Sequence, residues 1–193
     1  MSERRTQILQ AAVRVIAEDG VRGLRIEKLA AAAGVSTALI YYHFKDRSGV
    51  LHAALEHINR RAENYTGPAP ATDSDPRTRL EQMLLLELQD IDNVRENSIA
   101  WGELRASAVF NHDLRETLHA TTRAWNADVE TLISEAKANG SITTDIDPAL
   151  TAEHLTALVE GLSERWHSGS ITFDRARAVL TGAFAVHFGR DAR

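Results

Sequence analysis

Residues 24–47, LRIEKLAAAAGVSTALIYYHFKDR, constrain the fold of this chain more than any other stretch. Two short helical patterns meet there at one glycine. Ile26, Leu29, Ala30 and Ala33 recur at helical spacing, so one face of the first helix is buried. Gly34 follows and can take the positive φ that ends a helix without a Cβ penalty. Val35 plugs the corner, and Ser36 or Thr37 can cap a second helix through its hydroxyl. In that helix Leu39, Ile40 and Phe44 would face the core, leaving Thr37, Ala38, Tyr41, Tyr42 and His43 nearer solvent. A tight helical corner at a glycine, then a helix with a polar and aromatic outer face, is a helix-turn-helix pattern.

The run Ala33-Gly34-Val35-Ser36, then Leu39-Ile40-Tyr41-Tyr42-His43-Phe44-Lys45, resembles the DNA-binding signature of TetR-type transcriptional regulators. The likeness extends from about Arg5 to Leu55; beyond it only length and helical layout match. Two positions depart from the family pattern. Arg25 stands where the family usually has a threonine that caps a helix and touches a phosphate, a contact its guanidinium could replace. Arg47 stands where lysine is common and could make the same phosphate contact. The resemblance implies an all-α protein of about nine helices. A three-helix helix-turn-helix DNA-binding domain (residues 1–48) would precede a larger ligand-binding and dimerisation domain (residues 49–193).

The chain's net charge of −5 argues at first against a nucleic-acid partner. Its distribution answers that objection: residues 1–65 sum to +3 and residues 66–193 to −8, a mildly basic head on an acidic body. With 44% hydrophobic residues the chain can bury a core, and with no cysteine it can form neither disulfides nor thiolate metal sites. No apolar run approaches the roughly 18 residues of a membrane span, and no signal peptide is visible, so a cytoplasmic protein is expected.

Along the chain, apolar periodicity predicts helices over residues 6–18, 49–65, 77–92, 97–110, 114–139, 148–167 and 173–188, besides the two of the motif. Asp19-Gly20 ends the first. Residues 66–76, with three of the four prolines, read as a loop and a domain boundary. Asp147-Pro148 begins a helix in a capping arrangement. The last two helices carry more apolar surface than one stripe needs, and Gly161 and Gly182 permit close helix approach at a local cost of roughly 1 kcal/mol each. We read Leu155, Leu158, Leu162, Trp166, Val179, Leu180, Ala183 and Phe184 as a homodimer interface in a four-helix bundle; alternatively both helices are central to one monomer's core.

For DNA, the resemblance implies that Thr37, Ala38 and Tyr42 lie nearest the bases and that Tyr41, His43 and Arg47 meet the backbone. Ser36, Lys45 and Arg25 complete the expected set, with Arg4 and Arg5 reaching a phosphate or a minor groove, or simply at a frayed end. Tyr41 could instead pack inward on Leu29. The recognition helix has no Arg, Asn or Gln, so readout would rest on apolar contacts, tyrosine hydroxyls and DNA shape.

For the body, the resemblance implies a small-molecule pocket whose occupant favours the state that does not bind DNA. Candidate lining residues are Met83, Leu84, Trp101, Glu103, Leu104, Phe110, Trp125, Val129, Leu158 and Trp166; the tryptophans, with Glu103 or Glu160, could favour a cation. His112, Glu116 and His119 share a helical spacing but recruit no third strong ligand, so no metal and no cofactor are expected. No phosphate loop, nucleophile elbow or HExxH motif points to an enzyme. The expected protein is a homodimeric repressor released from a palindromic operator by an effector. The alternative is a helical adaptor whose Tyr-Tyr-His face binds protein.

Overall fold

The computed structural model describes residues 3–66 and 75–189. The expected proline-rich loop therefore lies almost wholly outside the described residues. Nine α-helices occur among those described, with no strand: α1 (Glu3–Gly23), α2 (Ile26–Ala33), α3 (Thr37–Phe44), α4 (Arg47–Thr66), α5 (Pro76–Leu86), α6 (Asp92–Ala108), α7 (Arg115–Ala138), α8 (Pro148–His167) and α9 (Phe173–Phe188). None is long and apolar enough to cross a membrane.

Local chemistry explains most of the ends. In α1, Gly20 sits at φ 72°, ψ 172°, so the regular helix stops at Asp19 and a final turn follows. Gly34 takes φ 62°, ψ 39°, and its N–H still bonds back to α2 carbonyls. Ser36 caps α3, its hydroxyl accepting the Leu39 N–H at 3.2 Å. Asp75, Asp147 and Thr172 cap α5, α8 and α9 in the same way, two of them with proline just inside the helix.

The helices group into two compact units, divided at other places than the sequence pattern suggests. The first comprises residues up to Ala62 with Arg95–Thr121; the second comprises Glu63–Val94 with residues from Thr122 onward. An expected boundary at residue 48 overlooks what the buried face of α4 does. Val50, Leu51, Ala54, Leu55 and Ile58 share one core with Ile8, Leu9 and Ile16 of α1, Leu29 of α2 and Phe44 of α3. Ala100, Leu104 and Ala108 of α6 belong to that core too. Polar contacts reinforce it: Asn97 donates to the Ile58 carbonyl at 3.1 Å, and Arg61 pairs with Glu96 at 2.7 Å.

In the second unit α5, α7, α8 and α9 enclose a separate core built from Leu80, Leu84, Val129, Ile133, Leu155, Leu162, Leu180 and Phe184. Four of the expected interface residues, Leu155, Leu162, Leu180 and Phe184, are therefore buried inside this unit and unavailable to a second chain. Leu158, Trp166, Val179 and Ala183 are half-buried along α8 and α9. Small residues are exposed on both helices, Ala157 and Gly161 on α8 and Ala178, Gly182 and Ala185 on α9, among charged ones such as Glu153, Glu164 and Arg175 and beside the largely exposed Val186. A Cβ added at Gly161 or Gly182 would meet nothing within 4 Å.

Two helix limits also differ. The helix expected over 77–92 stops at Leu86, where Glu87 is the cap residue, and α6 begins at Asp92 instead of residue 97. Both lie in a continuous apolar and acidic run that offers no glycine or proline to mark an end. His112 falls in a 3₁₀ turn (His112–Leu114) before α7, which breaks the helical face it was expected to share with Glu116 and His119.

Candidate DNA-binding surface and effector cavity

In the first unit α2 and α3 form the expected corner. Val35 N–H bonds to the Ala30 carbonyl at 3.0 Å, and the Gln7 amide of α1 donates to the Ala33 carbonyl at 2.8 Å. Ile40 and Phe44 point into the core. The opposite face of α3 is open: Ala38 is exposed, Tyr42 is 80% exposed and Tyr41 48%. Thr37 is half-buried beside them. His43 is held between aromatic neighbours, its ring 5.2 Å from Tyr42 edge-on and 6.0 Å from Phe44. Lys45, at φ 67°, ends α3 with its side chain exposed. Arg25 precedes α2 without capping it, so its guanidinium is exposed and takes no part in the cap. Arg5 is stacked on the Phe44 ring at 5.2 Å, which ties the first turn of α1 to α3.

Arg47 departs from the expected role. Its Nε donates to the Leu24 carbonyl at 2.7 Å and its Nη2 donates to the Val21 carbonyl. The guanidinium thus fastens the start of α4 to the link between α1 and α2 instead of standing free for a phosphate. The resemblance could not reveal this, because those carbonyls are freed only when Gly20 breaks α1.

The second unit contains a cavity of about 420 Å3, within the range of small-molecule sites. Glu63 and Thr66 of α4, Arg79 and Met83 of α5, and Asp128, Thr131 and Leu132 of α7 line it. Helices α5 and α7 run antiparallel here. Asn139 donates to Asp75 at 2.9 Å, and Arg79 pairs with Glu135. The same register brings the end of α5, at Glu87, level with the Trp125–Asp128 turn of α7. Tyr65 Oη donates to Glu87 Oε2 at 3.2 Å. Asn126 accepts from Thr156 of α8 at 2.7 Å, one turn before Glu160. The Trp125 indole N–H is buried without a hydrogen-bond acceptor among the described residues. This end of the unit is thus acidic and aromatic, which suits a cation.

The family model of the BetI-type transcriptional repressor C-terminal domain matches residues 76–187, more than half of the chain, and that of bacterial regulatory proteins of the tetR family matches residues 8–54. The chain belongs to the TetR family of transcriptional regulators. It carries a BetI-type C-terminal domain and is a DNA-binding regulator of all-α fold. A BetI regulator of Burkholderia thailandensis is 27% identical over 87% of this chain and 82% of its own. A Rhodococcus sp. structure, described as a TetR-family regulator, is 50% identical with a TM-score of 0.90, covering 97% of this chain and all of that one. A Saccharomonospora viridis regulator solved in complex with choline is 28% identical with a TM-score of 0.85, covering 97% of each chain. These relatives are regulators of transcription; none favours the adaptor alternative.

The expected TetR pocket set separates on this geometry. Met83 lines the cavity. Trp125 packs against the core of the second unit and is not among the residues that line the cavity. Leu84 and Val129 lie behind it in the core. Leu158 and Trp166 lie along the α8 and α9 pair, Trp166 packed on Phe173 at 4.9 Å. The remaining four belong to the first unit. Leu104 is buried in its core, and Trp101 packs on that core under the Arg105 guanidinium at 5.3 Å. The Glu103 carboxylate accepts the Val21 N–H at 3.1 Å. Phe110 is 86% exposed at a turn and encloses nothing. The sequence reading missed Glu63, Thr66, Arg79, Asp128, Thr131 and Leu132 of the cavity wall, and the Tyr65–Glu87 hydrogen bond outside that lining. One signal for Glu87 was present: a carboxylate inside MLLLELQ, where every neighbour within two residues is uncharged.

Proposed function

We propose that this protein is a homodimeric repressor, acting in the cytoplasm on a palindromic operator and released from it by a small organic cation. The observation that carries the reading is the two-sided α3. Its inner face closes the core, while Thr37, Ala38, Tyr41 and Tyr42 remain turned outward with nothing of their own unit covering the tyrosines. In this reading Thr37, Ala38 and Tyr42 meet base edges, and the backbone is held by Ser36, Tyr41, His43, Lys45 and Arg25. The exposed small-residue face of α8 and α9 supports pairing with a second copy, where Gly161 and Gly182 let helices approach closely. The choline of the Saccharomonospora viridis structure, with the Glu63 and Asp128 carboxylates lining the cavity here, supports a cationic effector. Helix α4 contributes to both units, so it is the element through which the effector's preference for one state would reach the reading head.

The test is selection from random duplex DNA near physiological salt, with and without choline. Enrichment of an inverted repeat with half-sites about one helical turn apart, lost when choline is added, is the expected result. No enrichment in either condition would reject the head as a DNA reader. Enrichment that choline leaves unchanged would reject the cationic effector alone.

Tyr42→Ala is expected to lower affinity for the selected site by about tenfold, equivalent to about 1.4 kcal/mol. Because Tyr42 is largely exposed, thermal unfolding should not move. Fluorescence anisotropy on a labelled operator, paired with a melting curve, measures both; affinity within twofold of wild type would remove Tyr42 from the interface.

A further inference from the structure

The cavity wall of the second unit carries charges of both signs, and the helix register sets them apart. On α5, Arg79 and Met83 are one turn apart and share the face that lines the cavity. On α7, Asp128 and Leu132 line it, and Glu135 continues the same face. Arg79 pairs with Glu135, so its guanidinium stands level with that part of α7. Asp128 lies about two turns earlier on α7, about 10 Å along the helix axis. Met83, Thr131 and Leu132, all uncharged, occupy the stretch between. Glu63 of α4 adds a second carboxylate, and Arg79 is the only basic residue among the described residues that line the cavity.

Glu135 does not use up Arg79. A guanidinium has five N–H donors, and among the described residues only Nη2 donates, to Glu135. The Arg79 Nε is buried without an acceptor. Buried donors are nearly always bonded, and one left over in a residue of a cavity wall is explained by an acceptor that arrives with a ligand. Glu135 is half exposed, so water screens its charge, whereas the inner nitrogen of Arg79 lies out of water. A carboxylate within the cavity therefore meets a guanidinium with donors to spare. Asp128, at the other end, is exposed and has no partner among the described residues.

We propose that the effector is a zwitterion, held by its quaternary ammonium at Asp128 and by a carboxylate at Arg79. The proposal rests on the cationic-effector reading above and adds the second charge. The two-turn separation, shortened by the reach of both side chains, suits an ammonium and a carboxylate joined by a short alkyl chain. Choline has a hydroxyl where this ligand has a carboxylate, so it satisfies only the acidic half. Charge-assisted hydrogen bonds to the guanidinium are roughly twice as strong as neutral ones. A ligand without the carboxylate leaves the buried Arg79 donor unpaired, which makes the site select against it.

Titration calorimetry of the full chain tests this with two compounds that differ at that end alone, γ-butyrobetaine and its methyl ester. The zwitterion is expected to bind about tenfold tighter or more, the effect of one charge-assisted hydrogen bond. Arg79→Gln should bring the two affinities together, and Arg79→Lys, which keeps the charge but not the planar fork, should retain part of the difference. Asp128→Asn should weaken both compounds alike. The Arg79–Glu135 pair is partly exposed, so its loss should cost little stability, and a melting curve of each variant verifies that it is folded. An ester bound by the wild type as tightly as the zwitterion, or a preference that persists in Arg79→Gln, overturns the anionic end and leaves the cationic effector standing. Unchanged affinities in Asp128→Asn overturn the arrangement from its other end. If neither compound nor choline gives heat or raises the melting temperature, the cationic-effector reading falls, and the zwitterion with it.

Discussion

Gly49→Ala is expected to unfold the reading head. Gly49 lies in the first turn of α4, and a Cβ there would stand 2.0 Å from the Phe44 carbonyl oxygen and 3.1 Å from its carbon. That oxygen is backbone, at the end of α3, and Phe44 is anchored in the core beneath it. The contact cannot be relieved by turning a side chain, so α4 must move away from α3 or the core must open. Gly49 also donates its N–H to Asp46 Oδ1 at 2.8 Å, which fixes the approach. Overpacking a core typically costs about 1–3 kcal/mol, and a clash with immovable backbone lies at or beyond the upper end of that range. Against a domain stability of roughly 5–15 kcal/mol, this should lower the melting temperature by about 10 °C or more and remove operator binding with it. Equal stability of Gly49→Ala and wild type in urea unfolding would mean that α4 leaves α3 with room to spare.

Arg47→Ala is expected to act through the same junction. The guanidinium bonds two carbonyls, those of Leu24 and Val21, where the chain passes from α1 to α2. Hydrogen bonds from a charged donor are worth about 1.5–3 kcal/mol each in the favourable case, and truncation leaves the Leu24 carbonyl without its guanidinium donor and the Val21 carbonyl with only the Leu24 N–H at 3.3 Å. A loss of about 2–4 kcal/mol should follow, with operator affinity falling only as far as the folded fraction falls. Arg47→Lys should lie between, because an ammonium cannot span both carbonyls as the planar fork does. The family resemblance implies the opposite result, a normal melting curve with weaker, less salt-dependent DNA binding. Measuring unfolding and the salt slope of binding on one preparation separates the two. A salt slope reduced by about one phosphate contact at full stability would return Arg47 to the DNA surface.

Both predictions concern places where chain segments distant in sequence meet, and there the sequence was least legible. The helix-turn-helix was readable because its determinants are local. Gly34 must tolerate φ 62°, Ser36 must cap within three residues, and Ile40 and Phe44 must share a face four residues apart. The caps at Asp147 and Thr172 are local in the same sense, and α8 and α9 fall where the pattern puts them. The effector site was hardly readable. Of the ten pocket residues expected, only Met83 lines the cavity, while Arg79, Asp128 and Thr131 line it as polar residues that no apolar periodicity marks.

The chain's own order of residues thus determined that it is helical, where its DNA-reading corner lies, and which family it belongs to. An apolar stripe also states that a helix face is buried. It does not state against what. Only the tertiary structure decided that α4 and α6 close the first core, that Leu155, Leu180 and Phe184 serve their own unit instead of a partner, and that Arg47 bonds backbone. Only it brought Tyr65 and Glu160 to Glu87, from positions 22 residues before it and far beyond it in sequence. The physical reason is that helix formation is governed by neighbours within about four residues, whereas desolvation and electrostatic pairing depend on whatever packing brings within a few ångströms.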